Sequence, residues 1–118
     1  MKTAFIRIIA AAAILAGSAI TASSAEPIEG VWKRPSTGTL IRYSGGGGSY
    51  CATVQGGKNN GKSIGCMKGT GGKYTGTLID LDANKTYKGK ASVNGNSMSL
   101  KGCVAGGFIC KGETWARQ

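Results

Sequence analysis

A chain of 118 residues with 15 Lys and Arg, five Asp and Glu, no histidine and a formal charge of +10 describes one small basic domain. It excludes a multidomain enzyme and any acid/base or zinc site built on imidazole. The 21 glycines are well over twice the average usage of about 7%, which excludes a helical bundle.

Residues 1–25 read as an export signal. Lys2 and Arg7 form a positive start, 8–20 is an almost wholly apolar run, and Ser23-Ser24-Ala25 offers small residues before Glu26-Pro27. Cleavage is expected after Ala25, leaving 26–118 as a single domain less basic by two charges. The apolar run falls short of the roughly 20 residues a spanning helix needs. Leu15-Ala16-Gly17 is followed by Ser18, which has no thiol to acylate. No second apolar run follows, so 26–118 carries no transmembrane segment and is expected in the periplasm or outside the cell.

Short alternating runs then succeed one another, separated by turn residues, which is the pattern of an all-β chain. Strands are expected at 30–34, 39–44, 49–55, 62–67, 74–81, 86–93, 97–103 and 109–117. The separators include the glycines 45–48, Gly69-Thr70-Gly71-Gly72, Asp82-Ala83-Asn84 and Asn94-Gly95. Every link is too short for a parallel crossover, so about eight strands form an antiparallel up-and-down meander. Such a sheet hides its edges best by closing into a small barrel.

All four cysteines lie in 26–118, and an exported domain of this size is commonly stapled by disulfides. Cys103 and Cys110 are symmetric about Gly106-Gly107, a pair suited to a two-residue hairpin turn, and Cys51 and Cys66 are symmetric about Lys58-Asn59. Each pair should face across adjacent antiparallel strands at about 4.5 to 5.5 Å between Cα atoms, so the expected bonds are 51 to 66 and 103 to 110. No Cys-x-x-Cys spacing is present to favour a redox-active pair.

With Asn94-Gly95 as a turn, Ala91 faces Met98, Gly89 faces Leu100 and Tyr87 faces Gly102 on one side. Ser92 faces Ser97, Lys90 faces Ser99 and Lys88 faces Lys101 on the other. The core face is then Tyr87, Ala91, Val93, Met98 and Leu100, with gaps at Gly89 and Gly102. Opposed like charges destabilise a strand pair, so Lys88, Lys90 and Lys101, aided by Lys85, form either a solvated face or an anion site.

Three motif matches lack the context their chemistry needs. Gly56-Gly57-Lys58-Asn59-Asn60-Gly61-Lys62-Ser63 spells a phosphate loop, but the residues after it are too glycine-rich for the helix whose N–H groups would hold phosphate. Asp80-x-Asp82-x-Asn84 opens like a calcium loop, yet Lys85 stands where glycine is required and Ala91 where the closing Glu belongs. Asn84-Lys85-Thr86 fits a glycosylation sequon, which matters only in a host that glycosylates. Nothing in the sequence calls for a cofactor or a metal.

Glu29-Gly30-Val31-Trp32, Gly48-Ser49-Tyr50-Cys51, Asp82 to Tyr87 and above all Leu100 to Arg117, with Gly-Cys-Val-x-Gly-Gly-x-x-Cys followed by Thr-Trp-x-Arg, resemble the bacterial envelope family of domain of unknown function 2147. The resemblance runs over essentially all of 26–118. It implies an exported, mostly single-domain β-protein and transfers no catalytic residues. Gly30-x-Trp32 on the first strand with Arg117 on the last is similar to the lipocalin-like arrangement, in which an Arg stacks over a Trp that closes one barrel end.

With the acids limited to Glu26, Glu29, Asp80, Asp82 and Glu113, no convergent carboxylate pair is apparent. Glu26 and Glu29 are expected at a mobile end and the next two beside a turn. The favoured function is a non-enzymatic binding or interaction module, here taken as a monomer. Its partner is an anionic envelope polymer or lipid headgroup on the lysine face, or a small apolar ligand in the barrel. In so short a barrel Tyr74, Leu78, Tyr87, Met98, Leu100 and Trp115 could instead fill the interior. Nucleic acid ranks lower, since no recognition helix or aromatic platform accompanies the charge. The contrary class is a hydrolase using Asp80 or Glu113.

Overall fold

The computed structural model describes residues 25–104, 106 and 109–118. Residues 1–24 of the export signal expected at 1–25, and Gly107 of the expected Gly106-Gly107 turn, lie outside them. Eight strands follow in order: β1 Gly30–Lys33, β2 Leu40–Gly46, β3 Ser49–Gln55, β4 Ser63–Thr70, β5 Lys73–Asp80, β6 Lys85–Asn94, β7 Ser97–Val104 and β8 Ile109–Arg117. Each pairs antiparallel with the next, and β1 returns to β8 through Trp32 with Arg117 and Lys33 with Ala116, closing an eight-stranded barrel. No helix among the described residues is long and apolar enough to cross a membrane.

The period-two alternation sets the inside. Tyr43, Tyr50, Ala52, Val54, Tyr74, Ala91, Met98, Leu100 and Trp115 point inward and are buried, while their strand neighbours face water. Ile28 and Trp32 are fully buried under the end where β1 begins, and Trp32 Nε1 donates to the Ile28 carbonyl at 2.9 Å.

Several strands run further than composition suggests. Gly45, Gly46, Gly69 and Thr70 were expected in turns but pair with Tyr50, Ser49, Tyr74 and Lys73. A Cβ on Gly69 would lie 2.1 Å from the Lys73 carbonyl oxygen, so glycine there lets the coiled hairpin close tightly instead of breaking it. Gly47-Gly48 and Gly71-Gly72 make the turns.

The β6–β7 register is also corrected. Its turn is Gly95-Asn96, with Gly95 at φ 62°, in place of Asn94-Gly95. Glycine at the first central position satisfies a II′-type hairpin turn. Every pair moves by two: Ala91 faces Leu100, Val93 faces Met98, Lys90 faces Lys101 and Lys88 faces Cys103. A shift of two keeps each side chain on its face, so the core assignment survives while the lysine pairing changes.

Both disulfides join directly opposed residues, Cys51 with Cys66 and Cys103 with Cys110. Their Cα atoms are 3.9 and 4.0 Å apart, somewhat closer than the expected separation. The phosphate-loop lookalike is a turn in which Gly56 N–H donates to Asn60 Oδ1 at 2.7 Å, and strand β4 follows it. In the calcium-loop lookalike, Asp80 Oδ1 accepts the N–H groups of Asp82 and Ala83, both at 3.1 Å, as the acceptor of a turn.

Candidate functional site: an open barrel end and a basic wall

Because the strands alternate in direction, one end of the barrel collects the loops after β1, β3, β5 and β7. The other collects the turns after β2, β4 and β6, together with both ends of the folded chain. The two ends differ in kind.

The second end is closed. The Arg117 guanidinium lies 4.3 Å from the centre of the Trp32 ring. Its Nη atoms donate to the carbonyls of Glu29 at 2.9 Å, Pro27 at 2.7 Å and Gly95 at 3.3 Å. The structure therefore brings Trp32 and Arg117 together over the end of the core. Glu26, expected at a mobile end, is instead bonded to the barrel. Its carboxylate accepts the Tyr74 hydroxyl at 2.8 Å and the Gly71 N–H, and the buried Ile28 anchors the segment. Burial, joined by the bond to Glu26, holds the Tyr74 phenol up at about 12.

The first end opens into a cavity of about 230 Å³. Ile41, Val54, Ile64, Leu78, Leu100 and Trp115 form its apolar walls, and Arg34, Asp80, Asp82, Lys111 and Glu113 stand around its rim. Of the side chains expected to fill the barrel, Tyr74, Met98, Leu100 and Trp115 are buried, whereas Leu78 and Tyr87 are half-buried and line the open space. The interior is thus filled at one end and hollow at the other.

The cavity wall contains a linkage that the sequence reading did not find. Arg34 Nε and Nη2 donate to Glu113 Oε1 and Oε2 at 2.7 and 2.6 Å, a two-pronged pair joining the end of β1 to β8. Trp115 Nε1 adds a bond to Glu113 Oε1 at 3.0 Å. The Arg34 hydrogen bonds are the main cause that holds the Glu113 carboxyl below the usual range, despite its partial burial. A carboxylate so engaged is a structural anion with no proton to give at neutral pH. The signal was present in the sequence: Glu113 and Arg34 share the inward parity of Trp115 and Trp32, on strands that a closed barrel must make neighbours. Lys58 and Asp82 form an exposed ion pair at 3.7 Å on the same end.

Of the lysines singled out from the sequence, Lys88, Lys90 and Lys101 lie on the outer wall, whereas Lys85 shares the parity of Tyr87. Lys90 sits directly opposite Lys101, Lys88 opposite Cys103 and Thr77, and Lys85 opens β6 at the cavity end. All four are exposed, and none makes an ion pair within 4.0 Å among the described residues. The outward positions of β5 to β8 carry no acid, since the only carboxylates on these strands, Asp80 and Glu113, line the cavity.

No curated protein and no solved structure matches the chain. The family model that matches is described as an uncharacterized protein conserved in bacteria (DUF2147), and it covers residues 61–117, from the turn before β4 to the end of β8. The Glu29–Trp32 and Gly48–Cys51 stretches that also carried the resemblance precede the matched segment. That segment, which holds the paired Cys103 and Cys110 and the Thr114-Trp115-Ala116-Arg117 ending, is similar to the bacterial family DUF2147.

Proposed function

We propose that this protein is a non-enzymatic binding barrel of the bacterial envelope that holds one small, mostly apolar molecule in its open end. The observation that carries the reading is the cavity of about 230 Å³, walled by Ile41, Val54, Ile64, Leu78, Leu100 and Trp115 with the Arg34–Glu113 pair and further polar side chains beside them. Sites for drug-sized molecules span roughly 300 to 1,000 Å³, so the ligand is smaller, on the scale of a single ring or a short acyl chain. Two disulfides fit a life in an oxidising compartment, periplasmic or extracellular. The hydrolase reading loses support because Glu113 is committed to Arg34 and Trp115, and Asp80 to its own turn.

The test is titration with an apolar fluorophore whose emission rises on leaving water. Wild type should bind with little dependence on salt, and Leu78→Trp, which fills the hollow, should abolish the signal while the protein stays folded. Equal binding by Leu78→Trp would place the ligand elsewhere.

A second reading, favoured by the acid-free lysine wall, is recognition of an anionic envelope component. Retention on a heparin column should then fall steeply with salt. It should be lost in the Lys88→Glu, Lys101→Glu double variant, and unchanged elution would discard that reading.

A further inference from the structure

We infer that the cavity end of the barrel docks on the surface of an anionic phospholipid bilayer, with Ile109 at the start of β8 entering the interface and the lysine wall beside it meeting the headgroups. The inference rests on the anionic-partner reading above and names its source. Three observations converge on this hairpin.

The first is Ile109, which is 60% exposed and is the one exposed large hydrophobic side chain among the described residues. It pairs across the hairpin with Val104, one position beyond the Cys103–Cys110 bond. The side chain is therefore presented next to a disulfide-linked position of the two strands. An apolar group exposed to water is stabilised by any contact that removes it from water.

The second is the surface beside it. A shallow groove on the outer wall is lined by Thr77, Thr86, Lys88, Cys103, Val104 and Gly106. It offers one ammonium and two hydroxyls, donors suited to a phosphate oxygen, and Lys90 and Lys101 continue the positive charge along the wall. No carboxylate stands on these outward positions to compete.

The third is placement. The hairpin, Lys85 and the groove all belong to the end at which the cavity opens. A barrel docked this way faces its mouth toward the bilayer, where small apolar molecules are concentrated. A soluble polyanion would use the lysines but leaves Ile109 without a role. A bilayer with anionic headgroups uses both, which is why it is the occupant we name.

Co-sedimentation with phosphatidylglycerol vesicles, with phosphatidylcholine vesicles and with heparin beads separates the possibilities. Wild type should partition onto the anionic vesicles and hardly onto the zwitterionic ones. Ile109→Ser should lower the vesicle partition about tenfold, the effect of withdrawing much of one isoleucine from an apolar phase, while leaving heparin retention intact. Lys88→Glu with Lys101→Glu should lose both. Thermal unfolding of each variant serves as the folding control, and Lys101→Thr, which removes the repulsion across from Lys90, provides a charge-loss variant that should fold at least as well as wild type. If wild type binds heparin but not vesicles, or if Ile109→Ser partitions like wild type, bilayer docking is overturned and the anionic-face reading stands. If neither vesicles nor heparin retain the protein, both fall.

Discussion

Two arginines decide how the chain ends meet, and each lends itself to a single-residue test. Arg117 spends its planar fork on three carbonyls while its face covers Trp32. Lysine can supply the charge but neither the fork nor the stacked plane. Stacking of this kind contributes about 0.5 to 2 kcal/mol, and each kcal/mol moves the Tm of so small a domain by roughly 4 to 8 °C. Arg117→Lys should therefore melt several degrees lower, and an unchanged Tm would show that the closed end does not depend on the stack. Glu113 gives a pH signature. Its folded carboxyl is held below its ordinary value, so its bond to Arg34 stabilises fully above about pH 4.3 and is lost as pH falls through the folded value. The stability advantage of wild type over Glu113→Gln should shrink in acid, measured by denaturant unfolding at a series of pH values, and a constant gap would remove the pair from the account. From the sequence, Glu113 stands out only as a possible catalytic acid. Its partner lies 79 positions away and becomes adjacent only when β1 and β8 meet, a contact that local spacing does not encode.

At the scale of elements, the hairpins show which registers can be read from a sequence and which cannot. The two cysteine pairs were legible because a disulfide demands directly opposed residues, which fixes the pairing absolutely. The β6–β7 turn was not, because Asn94-Gly95 and Gly95-Asn96 are both good turn dipeptides and differ by a shift of two, which leaves inside and outside unchanged. Parity arguments exclude a slip of one and are blind to a slip of two. Strand glycines were misjudged for a related reason: composition flags them as breakers, whereas several occupy places where a neighbouring backbone comes too close for any Cβ. Gly76 and Gly89, adjacent across β5 and β6, separate two kinds of closeness. A Cβ on Gly76 would stand 2.1 Å from the Cys66 carbonyl oxygen, on backbone that cannot move without unpairing β4. A Cβ on Gly89 would meet the Met67 Cε at 2.5 Å and the Leu78 Cγ at 2.9 Å, and the tip of a methionine can swing away. Gly76→Ala should cost about 3 kcal/mol or prevent folding, and Gly89→Ala about 1 to 2 kcal/mol with some loss of cavity volume, as overpacking does. Equal destabilisation of the two in urea titrations would contradict this distinction.

For the whole molecule, the organising feature is the seam at which the meander closes. Every other neighbouring pair of strands shares at least four paired residues, while β1 and β8 share two. The existence of a closed barrel was legible from short links and alternating runs. That its interior is hollow at one end was not, because hollowness depends on which side chains meet across the barrel. The short seam is held by a side-chain clasp at each end: Arg34 with Glu113 at the cavity, and Arg117 over Trp32 with its carbonyl bonds at the closed end. Gln118 N–H adds a bond to the Val31 carbonyl at 2.9 Å. Opening is easiest where few backbone bonds must break, so the barrel should unzip first along β1 and β8, from the cavity end, where exposed rim residues already admit water. Native-state hydrogen exchange should then find the amides of β1 among the least protected and those of β6 and β7, paired along seven residues, among the most. Arg34→Met should speed exchange in β1 well before it touches β6 and β7, because it releases one clasp and leaves the long ladders intact. If all strands exchanged together in both proteins, the barrel would open only by global unfolding, and the seam would have no separate role in admitting a ligand.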